Sequence, residues 1–177
     1  MEEFRDIILP VLAAFIICLF AGPFIIKAMQ KLKFGQQVRD DGPKSHLSKQ
    51  NTPTMGGLIM LVGILVPALI FRLSGMAMIA CLVSFAYGIV GFLDDFIKIV
   101  KKRSLGLKAY QKIIGQFGIA LITALYAYYS PEIGSSIYLP FSGGELDLGW
   151  AYIPVAIFVI IAIVNASNLT DGLDGLD

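Results

Sequence analysis

Apolar residues are grouped into long blocks along this chain, and short polar segments separate the blocks. About 20 consecutive apolar residues cross the hydrocarbon core of a bilayer as one helix. The pattern predicts about five membrane helices with bounds near 7–29, 56–73, 75–93, 113–129 and 150–164. The expected fold class is therefore an all-α polytopic membrane protein, with a single membrane domain over residues 1–177.

Polar segments at 30–55, 94–112 and 168–177 are expected to be loops. The segment 130–149 contains the β-prone run SIYLPF, then Gly143-Gly144, then ELDL. Two short strands around a glycine pair predict a small β-hairpin.

Charge assigns a side of the membrane to each polar segment. All of the 14 basic residues except Arg5 and Arg72 lie in or beside the segments 30–55 and 94–112, whereas the hairpin segment has none. Lys and Arg near membrane helices stay on the cytoplasmic side. We therefore expect these two segments and 168–177 in the cytoplasm, and the N-terminus and hairpin outside. A basic cluster can also bind nucleic acid, but topology and anionic lipid headgroups explain these ones, so we expect no nucleic-acid partner.

Composition excludes several other classes of protein. The chain is 56% hydrophobic and its mean hydropathy is +0.76. Cys18 and Cys81 lie inside apolar blocks, which argues against a disulfide framework or a zinc site. The acidic start MEEFRD has the wrong sign for a cleavable signal peptide.

Asp94 and Asp95 lie where the third apolar block ends. Adjacent carboxylates repel unless a cation offsets them, and Lys98 follows Asp94 by four residues, on the same helical face. One interpretation is a solvated helix end with an ion pair. The other is a site for Mg²⁺ or phosphate, because Mg²⁺ takes one or two carboxylates together with substrate phosphates.

Amide and carboxylate side chains recur every third residue near the end of the chain. The series is Asn165, Asn168, Asp171, Asp174 and Asp177. Steps of three on a helix turn by about 60°, so neighbours in the series share a site but the whole series does not. Gly172 and Gly175 favour a loop whose backbone approaches a ligand. The alternative is a hydrophilic helix terminus.

The segment before the second apolar block contains groups suited to phosphate. Lys49 and Thr54 offer a charge and a hydroxyl donor. His46 is the single histidine of the chain, and a solvated loop position explains it equally well.

Three motifs resemble one known enzyme family: TPTMGG (Thr52–Gly57), GFLDDFIK (Gly91–Lys98) and NLTDGLDGL (Asn168–Leu176). They are similar to the phospho-N-acetylmuramoyl-pentapeptide-transferase family of the polyprenyl-phosphate N-acetylhexosamine-1-phosphate transferases. Met55 stands where the sister branch, which transfers N-acetylglucosamine phosphate, typically has Arg. The resemblance covers residues 41–177.

The resemblance implies that undecaprenyl phosphate attacks the β-phosphate of UDP-N-acetylmuramoyl-pentapeptide. UMP leaves and lipid I forms, with Mg²⁺ as cofactor, in the first membrane step of peptidoglycan synthesis. It also implies the bacterial inner membrane, an active face on the cytoplasmic side, and a homodimer.

The resemblance further implies roles for individual residues. Asp94, Asp95 and Lys98 are the expected catalytic group, and Asn168 is an expected Mg²⁺ ligand. Whether a carboxylate deprotonates or orients the lipid phosphate, or attacks as a covalent nucleophile, is left open. The residues expected to bind phosphates or nucleotide are Lys49, Thr54, Lys112, Asp171, Gly172, Leu173 and Asp174.

Family members have about ten membrane helices, and their later half carries another Mg²⁺-binding Asp and a histidine-rich loop. We therefore expect this chain to be the first half of such a fold and inactive by itself. Two alternatives stay open: the N-acetylglucosamine-1-phosphate branch and a non-catalytic membrane scaffold.

Overall fold

A computed structural model describes residues 2–31, 55–73, 75–101, 106–139 and 143–170. In these ranges the chain forms five α-helices and one two-stranded sheet. The helices are α1 (Glu2–Lys31), α2 (Gly57–Ile70), α3 (Gly75–Val100), α4 (Ala109–Tyr129) and α5 (Tyr152–Thr170). The strands are β1 (Ser136–Tyr138) and β2 (Glu145–Asp147), and a 3₁₀ turn, Gly149–Ala151, precedes α5.

Three segments of the described chain are long and apolar enough to cross a membrane: Arg5–Lys31, Gly75–Val100 and Gly149–Leu169. The α2 helix is apolar but shorter. Large apolar side chains such as Ile7, Phe24 and Phe158 are mostly exposed. Exposed apolar surface is unfavourable in water and favourable in lipid. The predicted all-α polytopic membrane protein is confirmed.

The α3 helix extends past residue 93, where the third membrane helix was predicted to end. Phe92 stacks on Phe96, with ring centroids 5.9 Å apart, and Lys98 pairs with Asp94. Side chains four residues apart lie on one helical face and stabilise the helix. The α3 helix therefore continues to Val100. In the same way, α4 begins at Ala109 rather than 113, and α5 continues past 164 to Thr170.

The chain divides into two compact units, Met1–Lys108 and Ala109–Asp177. The prediction of one membrane domain stays a prediction. In the first unit α1 packs on α2 and α2 packs on α3. Gly63 of α2 lies so close to α1 that an added Cβ would collide with Cys18 Sγ. Small residues allow this close approach of membrane helices.

In the second unit α4 packs on α5. One stripe of α4 is buried, and it consists of Gln116, Ala120, Ala124 and Ala127. Three of these side chains are single methyl groups, which again brings two helices close together. The fourth is a polar amide that needs a partner in the interface.

The predicted hairpin is present between α4 and α5. Its strands are antiparallel, with Ile137 opposite Leu146. The Ser135 hydroxyl donates to Asp147 Oδ1 at 2.5 Å, and the Gly149 N–H donates to the same oxygen at 2.9 Å. Both bonds favour the ionised carboxylate and lower the pKa of Asp147. The side of the membrane on which the hairpin lies stays a prediction.

Candidate functional site

In the last turns of α3, the adjacent carboxylates of Asp94 and Asp95 both pair with the ammonium group of Lys98. Lys98 Nζ lies 2.8 Å from Asp94 Oδ2 and 2.8 Å from Asp95 Oδ1. The Asp94 side chain is 14% exposed, against 32% for Asp95 and 35% for Lys98. The predicted catalytic group therefore lies together, and Lys98 offsets much of the repulsion between the two acids.

The two carboxylates have different surroundings. The Leu107 N–H donates to Asp94 Oδ1 at 2.8 Å, so both oxygens of Asp94 are bonded. Asp95 uses Oδ1 for Lys98, and no described residue bonds its Oδ2. Asp94 is therefore the more enclosed acid, and Asp95 is the one with an oxygen available to a ligand.

The carboxylate oxygens of this cluster suit a hard cation that takes its other ligands from substrate phosphate and water. Within the described ranges, no three His, Cys, Asp or Glu side chains form a group that could hold a metal. Mg²⁺ usually takes only one or two carboxylates from a protein and the rest of its ligands from phosphate and water. The open oxygen of Asp95 matches that requirement.

A second polar cluster joins α4 to α5. Lys112 Nζ donates to Asn168 Oδ1 at 3.1 Å. Gln116 lies one turn after Lys112 on α4, and Asn165 lies one turn before Asn168 on α5. Asn165 Nδ2 donates to Gln116 Oε1 at 2.7 Å and to Ile161 O at 2.8 Å. The two side-chain pairs form successive rungs between antiparallel helices.

Asn168 Oδ1 keeps coordinating capacity in this arrangement. A carbonyl oxygen has two lone pairs, and the Lys112 bond uses one of them. Asn168 is exposed near the end of α5, where a ligand can reach it. The predicted metal ligand and one predicted phosphate-binding residue are thus in direct contact.

The remaining predicted site residues lie outside the described part of the chain. They are Lys49, Thr54, Asp171, Gly172, Leu173 and Asp174. Met55, at the end of TPTM, is described: it is buried, and its φ of 69° is in the left-handed region. A bulky residue held there is uncommon and often marks a functional segment.

Sequence reasoning missed three contributors to these clusters. Gln116 had a readable signal, because an amide one turn from Lys112 in an apolar helix is a candidate for function. Leu107 acts through its backbone N–H, which has no signal in a sequence. Gly106 contributes by having no side chain, because a Cβ there would collide with Asp94, and a single glycine in a sequence does not reveal such a contact.

The comparisons with known proteins agree with these motifs. A family model described as glycosyl transferase family 4 matches residues 76–177. Residues 49–61 match phospho-N-acetylmuramoyl-pentapeptide-transferase signature 1.

Curated relatives named phospho-N-acetylmuramoyl-pentapeptide-transferase are similar over almost the whole chain. The Clostridioides difficile (strain 630) protein is 51% identical, over 93% of this chain and 52% of its own length. The Thermoanaerobacter sp. (strain X514) protein is 47% identical, over 97% of this chain and 54% of its own. The chain thus spans about half the length of the curated relatives it matches. Because the family model covers more than half of the chain, this protein belongs to glycosyl transferase family 4.

Proposed function

We propose that the protein transfers phospho-N-acetylmuramoyl-pentapeptide from its UDP derivative to undecaprenyl phosphate, giving lipid I and UMP. The observation that carries this proposal is the signature match at residues 49–61, which contains TPTMGG with Met55 in place of the sister branch's Arg. The names of the similar proteins support it. On this proposal, the protein serves peptidoglycan synthesis in a bacterial cell membrane.

The proposed reaction requires cationic groups that compensate the negative charge of the reacting phosphates. An oxygen of the lipid phosphate forms a bond to the β-phosphorus, and the bond from that phosphorus to the UMP oxygen breaks. Both reactants are anionic, so cationic groups at the attacking, transferred and leaving oxygens lower the barrier. Lys98 supplies one such charge. Asp94 or Asp95 deprotonates or orients the lipid phosphate, and covalent attack by a carboxylate is the competing route.

Mg²⁺ is the proposed cofactor. Asn168 is its proposed ligand at the end of α5, through the unused lone pair of Oδ1. When bound, the ion stabilises negative charge on phosphate oxygens. Lys112 also belongs to the proposed substrate-binding residues, together with Lys49, Thr54, Asp171, Gly172, Leu173 and Asp174.

The proposed topology has the N-terminus outside and the active face in the cytoplasm, where the soluble nucleotide substrate is present. The concentration of basic residues in 30–55 and 94–112 supports it. A homodimer is part of the proposal. The expectation that the 177-residue chain is inactive by itself stays a prediction.

The test is a transfer assay on the protein expressed from its complete reading frame. With Mg²⁺, undecaprenyl phosphate and the UDP-muramoyl-pentapeptide, we expect lipid I and UMP, and none without Mg²⁺. Product from UDP-N-acetylglucosamine instead would assign the protein to the sister branch. No product and no binding of either nucleotide sugar would favour the scaffold.

A further inference from the structure

Gly106 and Leu107, which follow α3 in sequence, lie against Asp94 of that helix. Gly106 is buried, and the Leu107 N–H lies 2.8 Å from Asp94 Oδ1. Residues 13 apart in sequence are therefore joined by one hydrogen bond. A backbone donor on an ionised acceptor makes one of the stronger kinds of protein hydrogen bond.

This close contact is possible only at a residue without a side chain. A Cβ built on Gly106 would collide with three atoms of Asp94: Oδ1, Cγ and the backbone carbonyl oxygen. Rotation of the Asp94 side chain could relieve the first two collisions. It cannot relieve the third, because the carbonyl belongs to the helix backbone.

The hydrogen bond completes the hold on Asp94. Lys98 Nζ pairs with Asp94 Oδ2 and the Leu107 N–H donates to Asp94 Oδ1. Donors on two sides therefore orient the plane of the carboxylate. Asp95, its neighbour in sequence, has only Lys98 among the described residues. The backbone after α3 therefore distinguishes two acids that the sequence presents as equivalent.

We propose that Gly106 is a positioning residue, whose missing side chain lets the Leu107 N–H orient the Asp94 carboxylate for phosphoryl transfer. The proposal rests on the proposed function, in which Asp94 acts at the reaction centre. No ligand contacts Gly106 in this proposal, and it acts only through Asp94.

The first test compares Gly106→Ala with Gly118→Ala in the protein from the complete reading frame. An added Cβ at Gly118 meets nothing within 4 Å. We expect Gly106→Ala to lower kcat roughly 10- to 100-fold with KM for the nucleotide sugar nearly unchanged, because misplacement by about 1 Å has that effect. Gly118→Ala keeps wild-type kcat. Wild-type kcat in Gly106→Ala, in an active parent, overturns the proposal.

The second test asks whether the effect passes through Asp94. In an Asp94→Asn background, Gly106→Ala should lower the residual rate no further, because residues acting as one unit are not additive. A merely structural role would lower the rate equally in both backgrounds, and that outcome overturns the proposal.

The third test does not depend on activity. Hydrogen exchange at the Leu107 amide should be slow in the wild-type protein, faster in Asp94→Ala and unchanged in Asp95→Ala. Equal exchange in wild type and Asp94→Ala overturns the proposal. The expected exchange pattern without any lipid I formation would instead refute the proposed function alone. Should Gly106→Ala not fold, Leu107→Pro removes the same donor without a new side chain at Gly106, and the same loss of kcat is expected.

Discussion

The side-chain amide of Asn165 donates from Nδ2 to Oε1 of Gln116 across 2.7 Å, and so links α5 to α4. Gln116 is 1% exposed, and its partner is 49 residues away in sequence. A buried amide without a partner is costly. The pair therefore sets how the two helices align, and with it the meeting of Lys112 with Asn168 one turn away.

Loss of this pair should weaken the packing of α4 on α5. Gln116→Leu and Asn165→Leu are each expected to lower the unfolding temperature in detergent. The double variant should be less destabilised than the sum, with a coupling of about 0.6–2 kcal/mol. Strictly additive effects would show that the two amides do not support each other. Ile122→Leu, at an exposed position of α4, is the control and should melt like the wild type.

Replacement of Lys98 should affect chemistry more than substrate binding. Lys98→Gln leaves Asp94 and Asp95 without their shared cation and removes the charge proposed to act on phosphate, so kcat should fall about 100-fold or more. Steady-state kinetics of lipid I formation measures this. Lys101→Gln is the matched control, because Lys101 is exposed just beyond the end of α3. Equal losses in both variants would mean that general basic charge, and not the Lys98 geometry, matters.

Replacement of Asn168 should change how the rate of lipid I formation depends on the Mg²⁺ concentration. Asn168→Ala removes the proposed ligand oxygen, so the Mg²⁺ concentration for half-maximal rate should rise roughly 10-fold or more. A titration of rate against Mg²⁺ measures the change. Ser167→Ala, an exposed neighbour on α5, should leave the curve in place. An unaltered curve in Asn168→Ala would remove this residue from the metal site.

A side chain at Gly63 should loosen α1 from α2. Gly63→Ala places a Cβ against Cys18 Sγ, and overpacking of this kind costs about 1–3 kcal/mol. Cys18→Ala in the same protein removes the clashing sulfur and should restore most of the lost unfolding temperature. Failure of that rescue would place the clash elsewhere. Gly118→Ala is again the control with open space.

The elements that could be predicted from the amino-acid sequence are those whose signals are local. Apolar blocks predicted the helices, the glycine pair predicted the hairpin, and spacing placed Lys98 on the helical face of Asp94. Helix ends were less accurate, because polarity marks where a chain leaves lipid, whereas a helix continues as long as its hydrogen bonds do. Asp94, Asp95 and Lys98 are polar and still helical for that reason.

The helix faces that pack against each other could not be predicted and are known from the folded chain alone. Leu107 with Asp94, Gln116 with Asn165 and Cys18 with the α2 segment are pairs separated by 13, 49 and 41 residues. Periodicity shows that a helix has a buried stripe but not which stripe of another helix lies against it. Close packing selects these partners, because in a dense interior a change of even one methylene group in side-chain volume alters the stability of the contact.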